Sequence, residues 1–313
     1  MTLLKSKNLY LRTIKYILFI LLLCSSIILI NKSNLKVAVA TMAKMENHYI
    51  KEWVEYYYHL GFKKIFIYDN NDINGEKLEN TINKYISHNF VEIINYKGKT
   101  WKGINLQSIA FVDCYVNKSR GFDYLGLFDV DEFLYIGKFN KIYDYLSQSK
   151  FKNFDCIKFP WLVYDDNDLI YIKNNDFSLN KRFTRGNYFS NTCKSIFKTG
   201  FKQINSTDFL NAHGPVGLRT CDPDGIICNN GTDKTLPHFV MNKNIKKTKE
   251  YIKHFKLKTL EEFIDLKLKR LYADQSQDKA KKYLTFSLFF SFNKKTKEKI
   301  DYIKRKGFNF SRV

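Results

Sequence analysis

The chain has 313 residues, 44% hydrophobic and 16% aromatic, with a formal charge of +21. This is enough apolar material for a substantial core, and 14 Gly with 4 Pro are too few for a collagen-like or disordered chain. No repeat of fixed period is present, which excludes solenoids and propellers and leaves one large domain, or one domain with an appendage.

The first feature is the uncharged run YILFILLLCSSIILI, Tyr16 to Ile30, preceded by Lys5, Lys7, Arg12 and Lys15. It is shorter than the roughly 20 residues that comfortably span a bilayer, although flanking lysines can snorkel. A cleaved signal peptide or peripheral attachment are the rivals, but no small-residue cleavage site follows the run. The expectation is a cytoplasmic tail at 1–12 and a single-pass signal anchor at 13–31, with the catalytic part on the far side in type II orientation. Such a topology places the protein in a Golgi-like membrane if the source is eukaryotic or viral.

Beyond the anchor, LKVAVAT (35–41) reads as a buried strand, followed by a helix with Ile50, Trp53, Val54, Tyr57 and Leu60 on one face and Gly61 as its stop. KKIFIYD (63–69) is the next strand, with a helix around 76–87 after it. VEIINY (91–96), an amphipathic helix at 104–118 and YLGLFDV (124–130) complete the series. Strands recurring about every 26–34 residues have the βαβ rhythm of a mostly parallel sheet flanked by helices. The half from 151 to 241 is less regular, with apolar stretches at 157–164 and 194–200. From 242 a basic helical tail is expected, with 21 Lys and Arg against 8 Asp and Glu.

Ligands of such sheets bind at the carboxyl ends of the strands, which here carry Thr41, Asp69 and the pair Asp129 and Asp131. Neither a G-x-G-x-x-G nor a G-x-x-x-x-G-K-[ST] is present, so dinucleotide and P-loop readings lose support. In an extended segment residues i and i+2 point the same way, so Asp129 and Asp131 share one target. Paired hard carboxylates suit Mg²⁺ or Mn²⁺. DND at 166–168 and DPD at 222–224 match the same D-x-D pattern but sit in turn-like sequence, where acidic caps are the plainer account. No C-x-x-C pair suggests zinc, while Cys221 and Cys228 flank a turn that would allow a disulfide in an oxidising compartment.

MENHYIKEWVEYYYHLGFKKIFIYDNND, then VEIINY, then FDYLGLFDVDEFL resembles glycosyltransferase family 92 and its family 2-like relatives, over roughly residues 35–270. HFKLKTLEEFIDLKLKR (254–270) resembles a late segment of the same group, with Thr259 in place of its usual serine. The resemblance implies a GT-A fold: a nucleotide-sugar-binding half at 35–150, an acceptor-binding half at 151–241, and a D-x-D that binds Mn²⁺ or Mg²⁺. It also implies inverting transfer from a nucleotide sugar, most readily a UDP-sugar, to a glycan, glycoprotein or glycolipid.

On that reading Asp131, directly, and Asp129, directly or through water, hold the metal against the departing diphosphate. Asp69 and Asn70 stand where related folds contact base or ribose, and Asn47 lies where the chain passes the nucleotide. Glu132 would orient a metal-bound water, or simply cap a surface element. His254 and His213 are candidate further metal ligands, each set against an ordinary structural histidine. Lys258 is the best phosphate contact in the basic tail. An inverting transferase also needs a carboxylate base; Asp165, Asp166 and Asp208 are candidates, with Asp166 preferred, and Trp161 would stack on an acceptor sugar.

Two other functions compete. A sugar-nucleotide pyrophosphorylase needs a Gly-rich phosphate loop after the first strand, which TMAKMEN does not supply. A non-catalytic, membrane-tethered binder of carbohydrate or polyanions would use the basic charge but has no need of a D-x-D at a strand end. No nucleic-acid partner is indicated.

Overall fold

The computed structural model describes residues 15–19, 35–100, 105–230, 248–270 and 285–308. It divides the chain into two compact units, Met1–Leu35 and Lys36–Val313. In the first, residues 15–19 are helical. The rest of the expected anchor at 13–31 lies outside the described residues, and no helix among the described residues is long and apolar enough to cross a membrane.

The second unit is built on one sheet. β1 (Val37–Ala43) is apolar along nearly its whole length and buried on both faces, as a central parallel strand must be. It is followed by α1 (Ile50–His59), whose Ile50, Trp53, Val54 and Tyr57 fall at helical spacing and face inward. β2 (Lys64–Asp69), α2 (Glu79–Ser87) and β3 (Val91–Asn95) come next. α3 (Leu106–Asp113) starts at Asn105, whose side chain accepts from the Ser108 amide, and runs into a π-helical turn, Cys114–Lys118. β4 (Tyr124–Leu127) closes this half. β1 pairs in parallel with β2 and β4, and β2 with β3. The carboxyl ends of all four therefore lie along one edge.

The sheet becomes mixed beyond β4. β5 (Glu132–Ile136) leaves the main path, while β6 (Cys156–Tyr164) and the 13-residue β7 (Gly186–Lys198) pair antiparallel, and β7 also runs antiparallel to β4. A small hairpin of β8 (Leu210–Asn211) and β9 (Gly214–Pro215) precedes β10 (Arg219–Cys221) and β11 (Ile227–Asn230). β10 pairs with the first residues of β6, and β12 (Glu250–His254) is placed between β5 and the last residues of β6. Cys221 of β10 is a free thiol, so it forms no bridge to Cys228 on β11 of the same hairpin.

Several expected boundaries move. The fourth strand ends at Leu127 rather than 130, because the chain turns at Asp129, where the Glu132 amide donates to the Asp129 carbonyl. The tail expected to be helical from 242 contains β12, whose Glu250, Ile252 and His254 alternate inward with the half-buried Tyr251 and Lys253. Of the three inward positions only Ile252 is apolar, so the period-2 hydrophobic signal does not stand out from the surrounding lysines. The rest of the described tail is mostly helical, and α4 (Phe286–Phe292) and α5 (Lys297–Arg305) pack with Leu257, Leu260 and Phe263 in a satellite core.

Candidate functional site

Buried polar atoms without a hydrogen-bond partner are not scattered through the protein. Among the described residues they are Thr41 Oγ1, Glu46 Oε2, Asn47 Oδ1, Asp69 Oδ2 (which has Lys97 Nζ as an ion-pair partner at 3.3 Å), Glu132 Oε1, Trp161 Nε1 and His254 Nδ1, with Tyr302 Oη far along the chain. Thr41 is on β1, Glu46 and Asn47 follow it, Asp69 ends β2, and Glu132 follows the turn after β4. Native interiors satisfy nearly all such groups, so unmet partners concentrated along the carboxyl edge mark a place for a polar ligand.

The Asp129–Glu132 turn is held from outside by aromatic side chains of α1. Trp53 Nε1 and the Tyr57 hydroxyl donate to the Glu132 carbonyl at 3.0 and 3.1 Å, and the Tyr56 hydroxyl donates to the Leu134 carbonyl at 2.7 Å. The Phe255 amide, just after β12, donates to the Asp131 carbonyl at 2.9 Å. The turn is thus fixed in backbone position by two separate elements.

Because the backbone turns here, Asp129 and Asp131 do not share the single target that an extended segment would give them. Asp131 is 5% exposed, with Oδ1 3.6 Å from His254 Nε2 and Oδ2 3.5 Å from both Lys258 Nζ and Lys267 Nζ. Burial would raise its carboxyl pKa, but Lys258 and Lys267 hold it well below the usual range, so Asp131 is ionised. His254 is driven the other way: burial, helped by the nearby lysines, outweighs Asp131 and keeps the imidazole neutral. Burial, with Lys267 beside it, likewise lowers Lys258. Lys258 Nζ also lies 4.6 Å from the centre of the Tyr49 ring, and its φ is +60°, an uncommon conformation for a non-glycine residue.

Asp129 faces a different set. Gln107 Nε2 donates to Oδ1 at 2.6 Å and Lys194 Nζ to Oδ2 at 2.9 Å. Lys194, in the middle of β7, is 1% exposed; it also donates to the Ala212 carbonyl at 2.9 Å and lies 3.5 Å from Glu132 Oε2. Burial acts to lower this lysine, yet Asp129 and Glu132 hold it above its ordinary value. Glu132 is raised well above the ordinary carboxyl value by burial, reinforced by Asp129 and Asp131 and only partly opposed by Lys194. Sequence reasoning missed Lys194, Lys267 and Gln107. The sole available signal was a charged residue interrupting an apolar strand run at 193–197.

The other expected residues fall in three groups. Thr41 and Asn47 lie at the strand-end edge with unmet oxygens, and Asn47 is braced by the Glu76 carboxylate and the Lys77 carbonyl. Asp69 and Asn70 shape the wall beside them: Asp69 Oδ1 accepts from the Asn71 amide and side chain, and Asn70 Nδ2 donates to the Tyr96 and Lys99 carbonyls. His213 stands one ring away, its Nδ1 3.0 Å from the Cys193 carbonyl oxygen. The Trp161 ring contacts both His213 and His254, with centroids at 5.6 and 4.3 Å.

Asp166 is placed apart from this group. Its Oδ1 accepts from the Asp168 amide and its Oδ2 pairs with the buried Lys299 of α5, which makes it a tie between the β6 loop and the C-terminal helices. Both oxygens are committed, which suits a brace better than the expected general base. Asp165 pairs with exposed Arg185. Asp222, in the second decoy D-x-D, accepts from the Asp224 and Ile226 amides as an ordinary turn cap. A surface cavity of about 590 Å³ lined by Arg120, Phe201 and Lys202 lies at the opposite edge, where β4 begins and β7 ends.

An ionised carboxylate and a neutral imidazole facing each other at 3.6 Å are chemically suited to Mn²⁺ or Mg²⁺, ions that take most of their ligands from water and substrate phosphates. Among the described residues no third carboxylate, histidine or cysteine joins them in one cluster. Asp129 is turned toward Gln107 and Lys194. The protein's share of a metal site here is thus Asp131 and His254, with Asp129 one position removed.

Sheet and site together define an α/β protein with a charged ligand site at the carboxyl ends of parallel strands. The sequence profile of glycosyltransferase family 92 matches residues 33–268, three quarters of the chain, and the chain belongs to that family. A glycosyltransferase family 92 protein of Arabidopsis thaliana is 34% identical over 106 residues, 33% of this chain and 17% of the relative. One from Ricinus communis is 29% identical over 106 residues, covering 34% of this chain and 17% of the relative, and one from rice is 29% identical over 97 residues, covering 31% and 16%. The matched segment spans only about a sixth of the length of these relatives.

Proposed function

We propose that the chain is a membrane-anchored, metal-dependent glycosyltransferase that moves a sugar from a nucleoside-diphosphate donor, a UDP-sugar in the first instance, to a hydroxyl of a glycan acceptor with inversion. The observation that carries the proposal is the Asp131 cluster at the carboxyl edge, in a chain of this family. In the reaction the acceptor oxygen bonds to the anomeric carbon as the bond to the diphosphate breaks, its hydroxyl proton passes to a general base, and the leaving group gains one negative charge. Asp131 and His254 would hold Mn²⁺ or Mg²⁺, which supplies Lewis-acid stabilisation of that charge. Lys258 binds the diphosphate as a fixed ammonium in a site with little water. Thr41 and Asn47 offer unmet oxygens to donor hydroxyl or amide groups, while Asp69 and Asn70 keep the adjoining wall rigid. Asp129, locked by Gln107 and Lys194, is positioned to accept from a donor hydroxyl.

The test is hydrolysis and transfer assayed across a panel of nucleotide sugars with Mn²⁺, with Mg²⁺ and with chelator. Turnover of one donor that stops on chelation is the expected result. Binding of glycans without nucleotide binding or turnover would favour the non-catalytic reading. The anchor at 13–31 is tested separately by fractionation: intact full-length chain in the soluble fraction without detergent would remove it.

A further inference from the structure

We propose that Lys267 is a second diphosphate-binding residue, closing on the leaving group of the donor together with Lys258. The inference rests on the glycosyl-transfer reading above. Two irregular stretches of backbone carry it. Lys258 has a φ of +60°, and Lys267 is the last residue of a π-helical turn, Phe263–Lys267, a wide turn that tends to occur at functional sites. Both irregularities aim buried ammonium groups at one oxygen, Asp131 Oδ2, and both stop at 3.5 Å, outside good hydrogen-bonding distance.

The charges around that oxygen do not balance. Two ammoniums face one carboxylate in surroundings 5–7% exposed. Glu262, the other carboxylate whose field reaches Lys258, is already bound in two contacts of 2.8 Å by Arg182. Beyond Asp131, Lys267 has the neutral carbonyl of Lys256, and Lys258 has the Tyr49 ring. An ammonium carries three N–H donors, so both have donors left for an anion. A surplus buried cation is costly unless an anion arrives, and is most useful where negative charge grows as a bond breaks. The leaving diphosphate is such an anion, and two nitrogens around a shared oxygen suit two linked phosphoryl groups.

The test compares UDP with UMP on the full chain. Lys267→Met should weaken UDP binding about 10–100-fold, the usual worth of a charge-assisted contact, while changing UMP affinity much less. Transfer should fall in kcat at least as much as the apparent donor affinity falls. Because the substitution leaves Lys258 and Asp131 as a balanced pair, its unfolding midpoint should be no lower than that of wild type; a structural brace would lower it. Lys267→Arg should keep the UDP preference, and Lys267→Gln should lose it. An unchanged ratio of UDP to UMP affinity in folded Lys267→Met or Lys267→Gln overturns the inference while leaving glycosyl transfer standing. Failure of wild type to bind any nucleoside diphosphate instead removes the reading on which it rests.

Discussion

Replacing Asp131 by Asn bears on folding as much as on chemistry. Among the described residues the carboxylate is the only anion in contact with Lys258 and Lys267, both 7% exposed, so Asn leaves two buried ammoniums facing a neutral amide. Removing one partner of a buried ion pair typically costs about 3–5 kcal/mol, because the remaining charge stays desolvated. The contacts here are long, at 3.5 Å, and burial already lowers the pKa of Lys258, so the low end, about 3 kcal/mol, is the expected cost. At roughly 2–4 °C per kcal/mol that is a fall of roughly 6–12 °C in Tm. Denaturant unfolding of wild type, Asp131→Asn, Lys267→Met and the double variant forms a cycle that isolates the coupling. The double variant should recover part of the loss, since it removes one of the two orphaned charges. Wild-type stability of Asp131→Asn would refute the assignment of Asp131 as their shared counterion. Activity of Asp131→Asn is therefore informative only per mole of folded protein.

Lys194→Met removes the buried cation between Asp129 and Glu132 and should cost about 3 kcal/mol by denaturant midpoint, whereas Lys198→Met, from the half-exposed pair with Asp155, should cost less than about 1 kcal/mol; equal losses would contradict the burial argument. Asp166→Asn should lower stability by a few kcal/mol by orphaning Lys299, while nucleotide affinity and turnover per folded molecule stay near wild type; a large fall in turnover at normal stability would reinstate Asp166 as the base. Burial alone would raise Glu262, but Arg182, Tyr49 and Thr259 lower it to about 2 from 4.5, so its stabilising contribution, about 3 kcal/mol, is complete above roughly pH 4.5 and fades as pH falls toward 2. The stability gap between wild type and Glu262→Gln should accordingly narrow between pH 5 and 3; a gap independent of pH would count against the Arg182 pairing.

Local pattern was sufficient for the first half of the fold. β1, β2 and β3, with α1 between the first two, follow from apolar runs and helical spacing, because parallel strands buried on both faces need continuous apolar residues. It was also sufficient to favour Asp129 and Asp131 over two decoys, since only that D-x-D follows the last strand of the βαβ series, and to place Lys258 and His254 beside Asp131 through a segment-wide resemblance. Charge and contact across long sequence distances lay beyond it. Whether Asp129 and Asp131 face one target depended on a turn whose geometry α1 and the Phe255 amide enforce. β12 was hidden because only Ile252 of its three inward residues is apolar. Lys194 and Lys267 look in sequence like any of the chain's many lysines, and Asp166 like a loop carboxylate. Only folding brings Lys194 against Asp129, Lys267 against Asp131 and Lys299 against Asp166, because a buried charge is tolerable only beside a partner, and those partners are 65, 136 and 133 residues away.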